Sequence, residues 1–107
     1  MSGLIVGGTV RFAPGEIERL APHMNAVIAG TRKEAGCLHY SYSRLLEDPD
    51  VIVIFERWES GAALSAHFKT AHMAAWYDQL SSAKVLSRDI NVYPFEVARP
   101  TSDYREA

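Results

Sequence analysis

The 107-residue chain is short of several things, and each shortage excludes something. It has one cysteine, Cys37, so no intrachain disulfide can form and no cysteine-based zinc or iron–sulfur site can be built. A reducing compartment, the cytoplasm, is the expected setting. Basic runs are missing too: 11 basic and 13 acidic residues leave a formal charge of −2, so neither nucleic acid nor an anionic membrane surface is expected as a partner. Long hydrophobic runs are absent. The longest strictly apolar stretch, Val51 to Phe55, is far too short to span a bilayer. The start, Met1-Ser2-Gly3-Leu4, lacks the basic segment and apolar stretch of a signal peptide, so none is expected. There is no Gly-x-Ser-x-Gly nucleophile elbow. Gly7-Gly8 lies inside a strand pattern without a following lysine and serine or threonine, so it is no phosphate loop.

What remains is an ordinary globular balance, 48% hydrophobic and 22% charged, in a chain long enough for one small domain. A domain of this size buries a smaller fraction of its surface than a larger one, so a second subunit would help it.

Leu4 to Phe12 reads as a strand, with Leu4, Val6, Val10 and Phe12 on one parity and Ile5, Thr9 and Arg11 on the other. After Pro14-Gly15 a helix is predicted from Glu16 to about Glu34, on the helical spacing of Ile17, Leu20, Met24, Val27 and Ile28. Pro22 lacks the N–H that the carbonyl of Glu18 would accept from, and predicts a kink or an irregular first turn. Gly36 is the predicted stop. Cys37 to Leu46 reads as a second strand, Glu47-Asp48-Pro49-Asp50 as a turn and Val51 to Glu59 as a third strand. Ser60 is a candidate N-cap for a helix to about Lys69, and Thr70 for another to about Ala83. Lys84 to Val97 reads as the last strand. Residues 1–98 are taken as the domain and 99–107 as a mobile tail.

This β-α-β-β-α-β order is the ferredoxin-like α+β arrangement, with helices on one face of an antiparallel sheet. Its other face should be polar. The third strand is apolar on both parities, so something must cover that second face. A second copy related by twofold symmetry does so most simply, giving a dimeric α+β barrel in which the two sheets enclose cavities.

The run Glu34-Ala35-Gly36-Cys37-Leu38-His39-Tyr40, then Glu47-Asp48-Pro49, Phe55-Glu56-Arg57-Trp58-Glu59-Ser60, Ala63-Leu64-Ser65-Ala66-His67 and His72 resembles the antibiotic biosynthesis monooxygenase domain, the family that includes quinol monooxygenases. Ala35 departs from it, standing where the family often has proline. The resemblance implies a homodimer and oxidation of a quinol or polycyclic phenol by O2, with no cofactor: neither flavin, haem nor metal. Members share the fold while their substrates differ.

Such a reaction needs a base, a dry aromatic pocket and donors to a phenolate oxygen. Histidine suits the base because its usual pKa of ~6.5 lies near neutrality. His67 matches the histidine of the family's helix motif and is the first candidate; a packing role is the alternative. His72 matches the family's second histidine, or organises the helix break after Thr70. On one continuous helix the two would stand about 140° apart, so only a break near Thr70 brings them together. His39, on the second strand, is a competing base if its parity faces the cavity. Trp58 is a candidate cavity wall or ordinary core. Glu56, amid Ile52, Ile54 and Trp58, needs a partner, with Arg11 or Arg44 expected, and is otherwise a second base. Tyr40, Tyr42 and Tyr93 are candidate donors to a phenolate, and Tyr40 and Phe55 complete the expected substrate contacts. Two other readings stand beside the oxygenase: a dimeric binder of small apolar aromatics without catalysis, and a haem-degrading relative. Haem-degrading relatives carry an asparagine on the first strand, and Leu4 to Phe12 contains none.

Overall fold

The computed structural model describes residues 2–105. Its elements run β1 (Gly3–Phe12), α1 (Glu16–Thr31), β2 (Cys37–Leu45), β3 (Asp48–Trp58), α2 (Gly61–His67), α3 (Ala71–Ser81), β4 (Val85–Phe95) and a one-turn α4 (Ser102–Arg105). The strands form one antiparallel sheet in the order β2-β3-β1-β4. This is the expected ferredoxin-like fold, with its second helix divided into α2 and α3.

The alternation of each strand sorts its side chains between the two faces. Val6 stands opposite Glu56 and Val92, and Glu56 stands opposite Tyr40, so Tyr40, Glu56, Val6 and Val92 form one row across all four strands. That row lies on the helix-covered face. Val10, Phe12, Ile52 and Ile54 on the same face pack against Leu20, Met24 and Val27 of α1 and Met73 and Trp76 of α3. A second cluster joins Val6, Tyr40 and Trp58 to Leu64 of α2. Burying each such side chain contributes about 1.5–3 kcal/mol.

The opposite face carries Ile5, Val53, Phe55 and Tyr93. Phe55 is 39% and Tyr93 56% exposed, so this apolar surface is open to solvent in the single chain.

Four features differ from the sequence expectations. The turn between β2 and β3 shrinks to Leu46-Glu47, because Leu45 pairs with Asp48, and Pro49 and Asp50 are drawn into the strand. Helix α1 ends at Thr31, leaving Lys33 and Glu34 in the connection before Gly36, whose φ of 82° suits only glycine well. Pro22 lies inside a continuous α1 on its exposed side. The expected mobile segment from residue 99 carries α4, while Glu106 and Ala107 lie outside the described residues. Among the described residues no helix is long and apolar enough to cross a membrane.

Candidate functional site

Strand β4 is solvent-exposed along most of its length, because no helix covers that edge of the sheet. The space left between α3 and the sheet is a cavity of about 190 Å³. Val6, Ile54, Met73, Trp76 and Ile90 make its walls largely apolar. Its polar groups are His67, Glu56, Tyr40, Tyr42, Tyr77 and Arg88. The cavity thus opens on the helix-covered face of the sheet. Sequence reasoning had expected chambers on the other face, between two sheets. The difference arises because α1, α2 and α3 leave the β4 edge of the four-stranded sheet uncovered.

His67 is the last residue of α2 and is 1% exposed. Ser60 starts this helix by accepting the Ala63 N–H at 3.1 Å. The helix stops after His67, and Thr70 organises the break. The Thr70 hydroxyl donates to the His67 carbonyl at 2.8 Å and accepts from the Met73 N–H at 3.3 Å, capping α3. Restarting the helix on a new axis brings His72 back toward His67, with ring centroids 6.3 Å apart. Both rings converge on Glu34: Oε2 lies 2.8 Å from His67 Nδ1 and 2.7 Å from His72 Nε2. The His72 ring rests against α1 at Gly30, where a β-carbon would come within 2.8 Å of its Cγ.

Sequence reasoning did not single out Glu34. Its signal was an acidic residue two positions ahead of the turn-forming Gly36. An ionised carboxylate can only accept hydrogen bonds, so each histidine presents N–H to it. In neutral His67 the proton therefore sits on Nδ1, leaving Nε2 as the acceptor nitrogen of a ring that lines the cavity. The three donor atoms lie within 4.8 Å of one another, a nitrogen–nitrogen–oxygen set that could hold a divalent cation. Here both nitrogens are at hydrogen-bond distance from one oxygen, which satisfies all three without an ion.

Glu56 is buried, but neither expected arginine reaches it. Arg11 has the opposite parity and pairs with Asp48 at 2.6 Å, while Arg44 pairs with Glu18 on α1. Instead the Trp58 indole N–H donates to Glu56 Oε1 at 2.9 Å. Burial pushes the Glu56 carboxyl up to about 7; the Trp58 hydrogen bond opposes this and the Glu34 charge adds to it. Beside it the Tyr40 and Tyr42 hydroxyls lie 2.7 Å apart. Burial raises both phenols above their ordinary range, so they remain protonated donors at neutral pH.

Of the sequence candidates, His67, Glu56 and Tyr40 line the cavity together. Trp58 is fully buried one layer behind them, its ring 4.8 Å from that of His67. His72 does not line this cavity: it is linked to His67 through Glu34 and lines a smaller recess of about 110 Å³ with His23. His39 and Phe55 stand on the opposite face of the sheet, rings 5.2 Å apart, with His39 bonded to Ser41 at 2.9 Å. Burial raises the Cys37 thiol, which suits a packing side chain.

Residues 3–79 match the family model described as antibiotic biosynthesis monooxygenase. The chain is 32% identical to the probable quinol monooxygenase YgiN of Escherichia coli over 101 residues, covering 83% of this chain and 94% of that protein. It is 24% identical to the uncharacterized protein sll1783 of Synechocystis over 84% of its own length, and spans 61% of that longer relative. Among solved structures, PA3566 from Pseudomonas aeruginosa superposes with a TM-score of 0.80 at 28% identity, covering 92% of this chain and 97% of that one.

Proposed function

The chain belongs to the antibiotic biosynthesis monooxygenase family, and from that premise we propose that it is a homodimeric oxygenase of quinols that works without a cofactor, with His67 as its base. The similarity to a probable quinol monooxygenase supports the substrate class. The observation that carries the reading is the Glu34–His67 pair at the cavity: a carboxylate holds Nδ1–H, and the other ring nitrogen is left to accept a proton in a largely apolar space.

His67 takes a proton from a quinol hydroxyl. The resulting anion passes one electron to O2, the semiquinone and superoxide combine to form a carbon–oxygen bond, and protonated His67 returns its proton to the peroxide anion, giving the hydroperoxide. The hydroperoxide then loses water. One quinol and one O2 thus give one hydroxylated quinone and one water, which balances four electrons. Tyr40 and Tyr42 are both protonated and bonded to each other, so one O–H is used within the pair and the other supplies a hydrogen bond to the substrate oxygen anion. An engineered cavity of ~150 Å³ takes up benzene, so a space of about 190 Å³ suits a small quinol ring system better than a long polycycle. The second copy would cover the open face around Phe55 and Tyr93.

Oxygen uptake by metal-free protein with a series of hydroquinones tests the reading. Wild-type protein should consume O2 and yield hydroxylated quinone. His67→Asn, which keeps a donor toward Glu34, should lower kcat by about 10²–10⁴. Uptake that is unchanged in this variant would remove His67. A quinol that binds and is recovered intact would leave a binding protein instead. Sedimentation of a single copy at micromolar concentration would refute the dimer.

A further inference from the structure

Quinol deprotonation by His67 uses one proton acceptor, yet the cavity holds a second titratable group. Glu56 lines the cavity from the centre of the sheet and is 7% exposed. Its Oε1 is occupied by the Trp58 indole N–H. No hydrogen bond or ion pair engages Oε2 among the described residues, and Oε2 is also absent from the polar atoms that are fully enclosed without a partner. One oxygen is therefore anchored and the other is left to the cavity.

The charged and titratable groups around it come from every packed element. Tyr40 and Tyr42 stand on β2, His67 on α2, Tyr77 on α3 and Arg88 on β4, with Glu34 between α1 and β2. None of them forms a salt bridge with Glu56, and the Glu34 charge disfavours its ionisation. A carboxyl in this setting keeps its proton to an unusually high pH, up to about 7.

We propose that Glu56 is the proton donor for the second half of the reaction, delivering its proton to the distal oxygen of the substrate hydroperoxide. This rests on the quinol oxygenase reading. The chemistry needs such a group. When the O–O bond breaks, the distal oxygen leaves as hydroxide unless it is protonated as it departs. With a donor, the O–O electron pair goes to the distal oxygen, Glu56 supplies H⁺ to make water, and the ring carbon loses its hydrogen as H⁺ and becomes a carbonyl. Without one, the C–O bond breaks instead. The peroxide then leaves as H2O2 and the ring departs as the plain quinone, a two-electron oxidation. Both branches balance, and they differ in a product that can be measured. His67 returns the proton it took in the first step to the peroxide anion, which makes the hydroperoxide and restores the neutral base, whereas the carboxylic acid of Glu56 begins the cycle holding its own proton and is restored by the proton that the ring carbon releases. A base and an acid in one cavity thus divide the two proton transfers.

The test is the ratio of H2O2 to hydroxylated quinone formed per O2 consumed, compared between wild type, Glu56→Gln and Glu56→Asp. Glutamine keeps an acceptor for Trp58 but carries no acidic proton. Glu56→Gln is expected to consume O2 within a few-fold of the wild-type rate while shifting at least half of its turnover to H2O2, and Glu56→Asp should recover part of the coupling. A purely structural role would lower the rate of both branches together. An unchanged H2O2 fraction in a folded Glu56→Gln variant overturns the proposal and leaves the oxygenase reading standing. No O2 uptake by the wild type with any quinol defeats that reading first. Infrared spectra give a readout free of turnover: a protonated carboxyl band should be present at pH 6, weaken by pH 8 and be missing in Glu56→Gln. Its absence from the wild type at pH 6 also overturns the proposal.

Discussion

Glu34 and His67 are 33 residues apart in the chain and meet at 2.8 Å, Oε2 to Nδ1. The same oxygen holds His72, so one carboxylate ties the connection after α1 to both halves of the broken second helix. Replacing Glu34 by alanine leaves two ring N–H groups without an acceptor, one of them on a nearly fully buried ring. We expect a loss of about 1–3 kcal/mol in urea denaturation. Glu34→Gln, which retains an acceptor oxygen, should cost less stability yet still lower kcat, because a neutral amide orients His67 without stabilising its protonated form. Equal effects of the two variants on stability and on kcat would contradict this division of roles.

Glu56 predicts an unusual pH dependence of stability. Its folded-state pKa is raised to about 7 from an ordinary 4.5, so between these values the folded chain holds a proton that the unfolded chain has lost. Stability therefore falls as pH rises from about 4.5 to about 7 and levels off above that, by about 3 kcal/mol in all. Glu16, Glu18 and Asp48 have lowered values and act in the opposite sense at lower pH, losing their contribution as pH falls below the ordinary carboxylate range. The difference between wild type and Glu56→Gln, followed by denaturant midpoints at pH 5 and pH 8, isolates the Glu56 contribution. A variant that is no more favoured at pH 8 than at pH 5 would refute the burial argument.

Gly30 sets two effects against each other. Alanine at a helical position gains about 1 kcal/mol over glycine. Its β-carbon, however, would lie 2.8 Å from Cγ and 2.9 Å from Nδ1 of His72. Overpacking of this kind costs about 1–3 kcal/mol. Gly30→Ala should therefore be neutral to about 2 kcal/mol less stable, and the His72 ring should move. A shifted His72 resonance in the NMR spectrum, with His67 less affected, is the expected sign.

Two N-caps offer a matched pair. Ser60 and Thr70 each accept a hydrogen bond from the third residue of the helix that follows. Ser60→Ala and Thr70→Ala should each cost about 1 kcal/mol. Only Thr70 also bonds to the His67 carbonyl at the break, so only Thr70→Ala should disturb the histidine pair and turnover. Equal kinetic effects would mean that the break is held by something else.

Much of this molecule is legible in its residues. Parity alone put Val6, Val10 and Phe12 of β1 on one face, and the caps at Ser60 and Thr70 stand where local chemistry placed them. Strand and cap patterns are short-range, so they survive in a one-dimensional reading. The turn predicted at Glu47-Asp48-Pro49-Asp50 is shorter in the structure, because pairing between Leu45 and Asp48 outweighs the turn preference of Pro49. The partner of Glu56 differs from the expected arginines for another reason. Arg11 was near in the sheet but on the wrong side of it, and the indole two residues along the same strand was closer.

The linear order of amino acids determined a ferredoxin-like sheet with helices on one side, an apolar excess on the other and a helix break between His67 and His72. It could not determine that Glu34 would close the gap between them, that the cavity would open under α3, or that His39 and Phe55 would face away from it. Those outcomes depend on how far three helices reach across four strands and on contacts between residues distant in the chain, and only packing in three dimensions sets them.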